Sequence, residues 1–158
     1  MIEHAGAAAL WADYMATLPA AERTSLGEPG VWGFGDSPEL ADELGALVKQ
    51  GIKTATAELV WTVEFEGNPV PKVGEYNIIL DGAGDPLCII QTTAVAIHPY
   101  EDVPSEFAYD EGEGDRSSDY WRQAHWSYFS RRCADIGRKP TTTMPVICEH
   151  FRVVYKAA

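Results

Sequence analysis

The sequence contains three β-type runs that are not separated by regular helical crossovers. This order of elements restricts the possible folds more than any other feature of the sequence. One run spans residues 76–80, a longer one rich in Ile, Val and Thr spans 87–97, and the last spans 148–155. The glycine- and aspartate-rich segment 81–85 has the composition of a hairpin loop. Because consecutive parallel strands need helical crossovers, we predict an α+β protein with a small barrel of mixed or antiparallel strands surrounded by helices.

Helix signals flank these runs. Residues 5–18 have helical composition, and a second helix is predicted from Ser37 as N-cap to Gly51 just past its end. A third helix is predicted from Ser117 or Asp115 through residue 129. The apolar residues of segment 55–65 fit neither the period of a helix nor the period of a strand, so both structures remain possible. We favour a helix that begins near Thr54.

Length and charge limit the classes of function. The 158 residues are predicted to form a single domain, residues 1–158, with an N-terminal helical extension over about residues 1–31. With 24 acidic and 12 basic residues the formal charge is −12, which disfavours tight, non-specific binding of a polyanion. The three separated cysteines are predicted to be reduced and close to the core. We find no signal peptide or membrane span, and we predict a cytoplasmic protein.

Lys53 is a candidate functional residue because it follows the second predicted helix directly, away from the obvious solvent-facing positions. The alternative is an ordinary solvated cation that interacts with the carbonyl dipoles at the helix end. The orientation of Lys53 therefore decides whether this segment forms a site.

The acidic stretch between residues 101 and 119 contains Glu111, Glu113 and Asp115 in alternation with other residues. Carboxylate oxygens suit a hard cation such as calcium or magnesium. The segment does not fit a calcium-binding loop that begins at Glu111, because its twelfth position is Arg122 instead of a bidentate glutamate. We predict no metal site here. Glu113 and Asp115 are interpreted as loop acids that favour the N-terminus of the next helix.

That next helix combines aromatic and cationic side chains. We predict two stripes, one with Trp121, His125 and Tyr128 and the other with Arg122, Trp126 and Phe129, and the sequence does not decide which one is buried. An aromatic ring beside a cation suits a nucleobase and its phosphate. We therefore expect Arg122 and His125 to face a ligand cleft, although aromatic residues at helical spacing usually belong to a core.

Four ordered motifs together resemble one family. They are the segments 51–56, 71–75, 107–115 and 121–125, and their separations resemble those of the longer bacterial subgroup of the ASCH family, the activating signal cointegrator homology domains. The resemblance runs from about Trp32 to Tyr155. It implies a PUA-like β-barrel with helices around it and a cleft between barrel and helices that takes RNA or a nucleoside.

The resemblance also implies functional residues. Family members are credited with binding RNA, with cleaving single-stranded RNA and with hydrolysing the amide of an acetylated cytidine. The matching positions make Lys53, Thr56 and Glu111 the catalytic candidates. Together with the aromatic and cationic helix described above, the candidates for binding the substrate or nucleic acid are Lys53, Arg122, His125 and Tyr128. Glu58 stands where the shortest family members carry an arginine, and this departure concerns substrate identity.

Two mechanisms stay open. In a helix, Lys53 and Thr56 are i, i+3 neighbours, so a lysine of lowered pKa could activate the threonine while Glu111 protonates the leaving amine. In a ribonuclease the lysine stays charged and stabilises the transition state, and magnesium is compatible with that chemistry alone. The expected ligand is single-stranded RNA or a nucleoside or nucleotide. The alternative function is a non-catalytic RNA-binding module, and the oligomeric state is not predicted.

Overall fold

The computed structural model describes residues 1–158, which form helices and strands in mixed order. The six helices are α1 (Ala5–Ala16), α2 (Ala20–Arg23), α3 (Pro38–Lys49), α4 (Val60–Phe65), α5 (Ser105–Glu111) and α6 (Ser118–Asp135). The five strands are β1 (Gly30–Gly33), β2 (Ala55–Leu59), β3 (Tyr76–Leu80), β4 (Pro86–Pro99) and β5 (Pro145–Lys156). None of the helices is long and apolar enough to cross a membrane.

The strands form one mixed sheet with the hydrogen-bonded order β1-β3-β4-β5-β2. Strand β1 is parallel to β3, whereas β3–β4 and β2–β5 are antiparallel. This arrangement confirms the predicted α+β class with mixed strand directions. The chain divides into two compact units, and β4 and β5 each contribute residues to both.

The first unit comprises residues 1–51, 74–91 and 152–158. Helix α1 packs Leu10 and Tyr14 against Ile78 of β3 and Ile89 of β4, so the N-terminal helix shares a core with the sheet. Helix α3 begins as predicted, because the Ser37 hydroxyl accepts a hydrogen bond of 3.1 Å from the amide of Leu40. The turn between β3 and β4 is the predicted hairpin loop.

The second unit comprises residues 52–73 and 92–151. Its core combines α5, α6, β2 and β5. On β2, Ala55 and Leu59 are fully buried in this core and Ala57 packs against it. Alternating side chains of a strand point to opposite faces, so Thr56 faces away from the helices of this core.

The predicted helix from Thr54 is wrong, because Ala55–Leu59 is a strand and a helix begins only at Val60. The composition of this segment suits a helix, but its backbone pairs with β5 from His150 to Val146. Tertiary pairing therefore overrides local propensity. Helix α5 lies in the stretch interpreted as a loop, and β1 and α2 have no counterpart among the predictions.

Helix α6 buries a stripe that differs from both predicted ones. Trp121, His125, Phe129 and Cys133, each four residues apart, are its buried residues. Phe129 therefore joins Trp121 and His125, while Tyr128 is half-buried and Trp126 is 37% exposed. The prediction that the cysteines are reduced and close to the core is confirmed, since Cys88, Cys133 and Cys148 are free and buried.

Candidate functional site

Four ionisable side chains of the second unit meet in the interior and form what we call the Lys53 cluster: Lys53, Glu111, Glu113 and His125. The side chains of Lys53 and Glu111 are each 1% exposed, that of His125 is 8% exposed and that of Glu113 is 14% exposed. The interpretation of Lys53 as a solvated cation is therefore wrong. Glu113 is the member that solvent reaches most easily.

Local structure brings these residues together. Lys53 lies in the connection from α3 to β2, Glu111 is the last residue of α5, and Gly112 follows it in the left-handed conformation with a φ of 72°. A Cβ at Gly112 would lie 2.5 Å from the carbonyl oxygen of Ile52, so only glycine permits this approach. The amide of Thr54 also donates to the carbonyl of Asp110 at 2.8 Å. These contacts fix the end of α5 beside Lys53.

The Lys53 ammonium is held between two carboxylates. Its Nζ lies 2.9 Å from Glu113 Oε2 and 3.4 Å from Glu111 Oε2. Burial would lower the pKa of Lys53, but the attraction of Glu111 and Glu113 outweighs it and raises that pKa above its ordinary value. Lys53 is therefore charged at neutral pH. A charged ammonium can stabilise a developing negative charge, whereas a general base needs an unprotonated amine.

His125 completes the cluster from α6. Its Nδ1–H donates to the carbonyl of Trp121 at 2.9 Å, and its Nε2 lies 3.0 Å from Glu111 Oε2. The imidazole stacks on the Trp121 ring at 4.2 Å with an interplanar angle of 13°. Burial lowers the pKa of His125, but the neighbouring Glu111 raises it more, so the pKa is raised overall. An imidazolium that donates from both nitrogens satisfies this geometry.

The two glutamates have divergent pKa values. Burial alone would raise the pKa of Glu111, but His125 and Lys53 lower it well below its ordinary range. Burial and a hydrogen bond with Glu111 instead raise the pKa of Glu113 to about 7. Glu111 is thus a fixed anion. Glu113 is the carboxyl that gains and loses a proton near neutral pH, as a general acid or base must.

Three members of the cluster also offer possible metal ligands. One ligand atom each from Glu111, Glu113 and His125 lies within 4.8 Å of the others. The Lys53 ammonium already contacts both carboxylates, and a second cation beside it would be repelled. The donor set therefore does not favour a metal, and we derive no metal-dependent step.

Thr56 is not among the four buried ionisable residues. It is half-buried on β2, opposite Glu149 of β5. The helical geometry that would place Thr56 one turn from Lys53 is absent, because this segment is extended. Its catalytic role stays a prediction, whereas Lys53 and Glu111 do lie together.

The other predicted binding residues make intramolecular contacts. Arg122 donates to the carbonyls of Tyr100, Glu101 and Val103 at 3.2, 3.1 and 3.5 Å. The Tyr128 hydroxyl donates to Glu58 Oε2 at 2.8 Å. Their roles in substrate binding also stay predictions.

Glu113 belongs to the Lys53 cluster, although the sequence predicts a different role for it. The sequence predicts a loop acid at the N-terminus of the next helix, but the Glu113 carboxylate accepts a hydrogen bond from Lys53. That interpretation holds for Asp115, whose Oδ1 accepts from the amide and hydroxyl of the N-cap residue Ser117 at 2.9 and 2.6 Å. One feature of the sequence could have identified Glu113. It follows Glu111 by two residues, so the two acids flank Gly112 at the end of α5.

Comparison with known proteins gives consistent results. The family model of the ASCH domain matches residues 30–155. The crystal structure of an ASCH domain from Lactobacillus crispatus JV V101 has a TM-score of 0.91 and 30% identity, over 98% of this chain and 96% of that chain. A protein structure from Enterococcus faecalis V583 has a TM-score of 0.86 and 35% identity, over 96% of this chain and 89% of that chain. No curated protein matches the sequence.

These similarities confirm the α+β, PUA-like fold that the resemblance implied. The family match begins at residue 30 and leaves out α1 and α2. The similarity to the Lactobacillus crispatus structure extends over nearly the whole chain, so the N-terminal helices belong to the shared structure.

Proposed function

Since this chain belongs to the ASCH family, we propose that it binds a modified nucleoside at the Lys53 cluster and hydrolyses the amide of an acylated pyrimidine such as acetylated cytidine. The observation that carries the proposal is the pairing of a buried, charged Lys53 with Glu113, whose pKa is about 7. Groups with such perturbed pKa values concentrate at functional sites. A purely structural core gains little from buried ion pairs, because their desolvation opposes their attraction.

The geometry supports particular roles. Ionised Glu113 accepts a proton from water as the water oxygen attacks the acyl carbonyl carbon, and the Lys53 ammonium stabilises the resulting oxyanion. Protonated Glu113 then donates that proton to the amino nitrogen as the C–N bond breaks, which releases a carboxylic acid and the free nucleoside. Glu111 and His125 keep the lysine charged and oriented. Thr56 is an alternative nucleophile.

A neutral substrate suits the charges better than an RNA backbone does. Two carboxylates lie against Lys53, and the whole chain carries −12. Six of the 12 cations fall between residues 116 and 139, but Arg116 and Arg122 donate to backbone carbonyls and Arg132 pairs with acids. Phosphate contacts would have to displace these partners.

A second candidate function is binding of single-stranded RNA without catalysis, and ASCH domains are linked to RNA binding. The Arg138 guanidinium lies 4.3 Å from the centroid of the Trp61 ring, and an exposed cation beside an aromatic ring suits a nucleotide. This binding would weaken steeply with salt, whereas binding of a neutral nucleoside would not.

We also propose that the protein acts in the cytoplasm. The support is the state of Cys88, Cys133 and Cys148, which are free and buried. Reduced thiols are typical of that compartment.

The decisive test is an assay of the wild-type protein and Lys53→Met on acetylcytidine and on a single-stranded RNA oligonucleotide, with and without a chelator. We expect release of cytidine and acetate by the wild type, insensitivity to the chelator, and a loss of about 10²-fold or more in the variant. The matched control is Lys72→Met, which changes an exposed lysine. Turnover of neither substrate, together with salt-sensitive RNA binding, would leave the non-catalytic module.

A further inference from the structure

An exposed tyrosine covers the glycine that follows the proton-carrying carboxylate. Tyr120, in the first turn of α6, is 38% exposed. Its ring lies so close to Gly114 that a Cβ there would be 2.5 Å from the ring atoms. Gly114 directly follows Glu113, the most exposed member of the Lys53 cluster. One face of this ring is thus supported by the backbone of the residue that follows Glu113.

The same loop is held in an unusual conformation. Arg116 has a φ of 65°, and it is the only non-glycine residue of the chain with a positive φ. Its Nε donates to the carbonyl of Tyr109 at 2.9 Å, and its guanidinium lies 3.7 Å from the centroid of the Tyr109 ring. Backbone strain of this kind persists where surrounding contacts enforce it, and it concentrates at functional sites.

We propose that Tyr120, supported by Gly114, is the stacking platform for the pyrimidine ring of the substrate. This inference rests on the proposed function, because it places the base against the loop that carries Glu113. A planar, uncharged pyrimidine suits an aromatic ring supported by backbone. Tyr120 is thus a binding and specificity residue, and it takes no part in the proton transfers.

The platform explains why position 114 is a glycine, whereas the glycine at position 112 has a separate cause. Gly112 allows the end of α5 to approach Ile52, whereas Gly114 leaves room for the Tyr120 ring. Gly114 has a φ of 58°, so a side chain there would both strain the backbone and displace the ring. Gly114→Ala therefore perturbs the platform without removing the tyrosine.

The test measures KM and kcat for acetylcytidine in Tyr120→Leu, Tyr120→Phe and Gly114→Ala. We expect Tyr120→Leu and Gly114→Ala to raise KM about tenfold with little change in kcat, and Tyr120→Phe to stay within about twofold of the wild type. The matched control is Trp126→Leu, since Trp126 is 37% exposed on the same helix. Its KM should not change.

The outcomes separate this inference from the proposed function. Normal turnover with an unchanged KM in Tyr120→Leu would overturn the platform and leave hydrolysis intact. If the wild type shows no turnover, calorimetric binding of cytidine and acetylcytidine replaces KM. Weaker binding by Tyr120→Leu, with Tyr120→Phe unaffected, would then support the platform alone. Equal binding by Tyr120→Leu and the wild type, or no binding by the wild type, would overturn it. If Tyr120→Leu fails to fold, Gly114→Ala gives the same comparison.

Discussion

Lys53 Nζ lies 2.9 Å from Glu113 Oε2, and this contact joins a lysine side chain that is 1% exposed to a carboxylate that is 14% exposed. The Lys53 ammonium is therefore buried, whereas its partner Glu113 is partly exposed to solvent. Glu111 contacts the same ammonium from within the core at 3.4 Å, so Lys53 keeps one ionised partner when Glu113 is protonated.

Lys53→Met should destabilise the protein strongly. It removes the cation that contacts both Glu111 and Glu113 and leaves these two neighbouring acids without their shared partner, which costs about 3–5 kcal/mol. Urea denaturation at pH 7 measures the free energy of unfolding. Lys72→Met, at an exposed position, should stay within about 0.5 kcal/mol of the wild type. Equal stability of the two variants would show that Lys53 is not embedded in an ionic network.

Glu113→Gln should change the pH dependence of stability. The pKa of Glu113 is raised from 4.5 to about 7 in the folded protein, so its contribution is complete below pH 4.5 and is lost as the pH rises through 7. Relative to the variant, the wild type should lose up to about 3 kcal/mol across this window. Lys53, Glu111 and His125 are present in both proteins, so the difference reports the titration of Glu113 together with its coupling to these three groups.

The control for that comparison is Glu106→Gln, which changes an exposed glutamate of α5. Its unfolding free energy should parallel that of the wild type from pH 4 to pH 8. A constant difference between the wild type and Glu113→Gln over the same range would contradict the raised pKa of Glu113.

Thr56→Val tests whether the nucleophile is a hydroxyl or water. Thr56 lies on the strand face opposite to Ala55 and Ala57, away from the core that contains α5 and α6. We therefore expect hydrolysis of acetylcytidine by Thr56→Val to fall less than tenfold. Trapping of an acylated protein in the wild type, or a loss of activity comparable to that of Lys53→Met, would make Thr56 the nucleophile instead.

Arg122→Gln should weaken folding more than substrate binding. The guanidinium donates to three carbonyls in the segment before α5, and their loss costs about 1–3 kcal/mol. Thermal unfolding measures this loss, and KM for acetylcytidine should stay within about twofold of the wild type. A large increase in KM with unchanged stability would restore the predicted binding role of Arg122.

The parts of the fold with strong local signals could be predicted from the sequence. Ser37 and Gly51 delimit α3, and the hairpin loop and the apolar runs locate β3, β4 and β5. Strand β2 could not be predicted, because the composition of Ala55–Leu59 suits a helix and only its pairing with β5 makes it a strand. Helix α5 was obscured by the acidic and glycine-bearing composition around it.

Part of the candidate site could also be predicted from the sequence. The family motifs predict Lys53 and Glu111, the aromatic and cationic pattern of the last helix predicts His125, and the fold brings these three residues together. Their protonation states depend on burial and on each other, and no spacing along the chain reveals that Lys53 stays charged while Glu113 titrates near 7. Glu113 was assigned to a helix terminus because its distance from Lys53 is a property of the folded chain alone.

A ¹³C NMR titration of the glutamate carboxyl groups, assigned with Glu113→Gln, tests the central claim most directly. We predict that the Glu113 carboxyl titrates near pH 7, while the Glu111 carboxyl stays ionised down to the acid unfolding of the protein. Titration of Glu113 near its ordinary value of 4.5 would contradict the account, because the cluster would then lack a group that exchanges a proton at neutral pH.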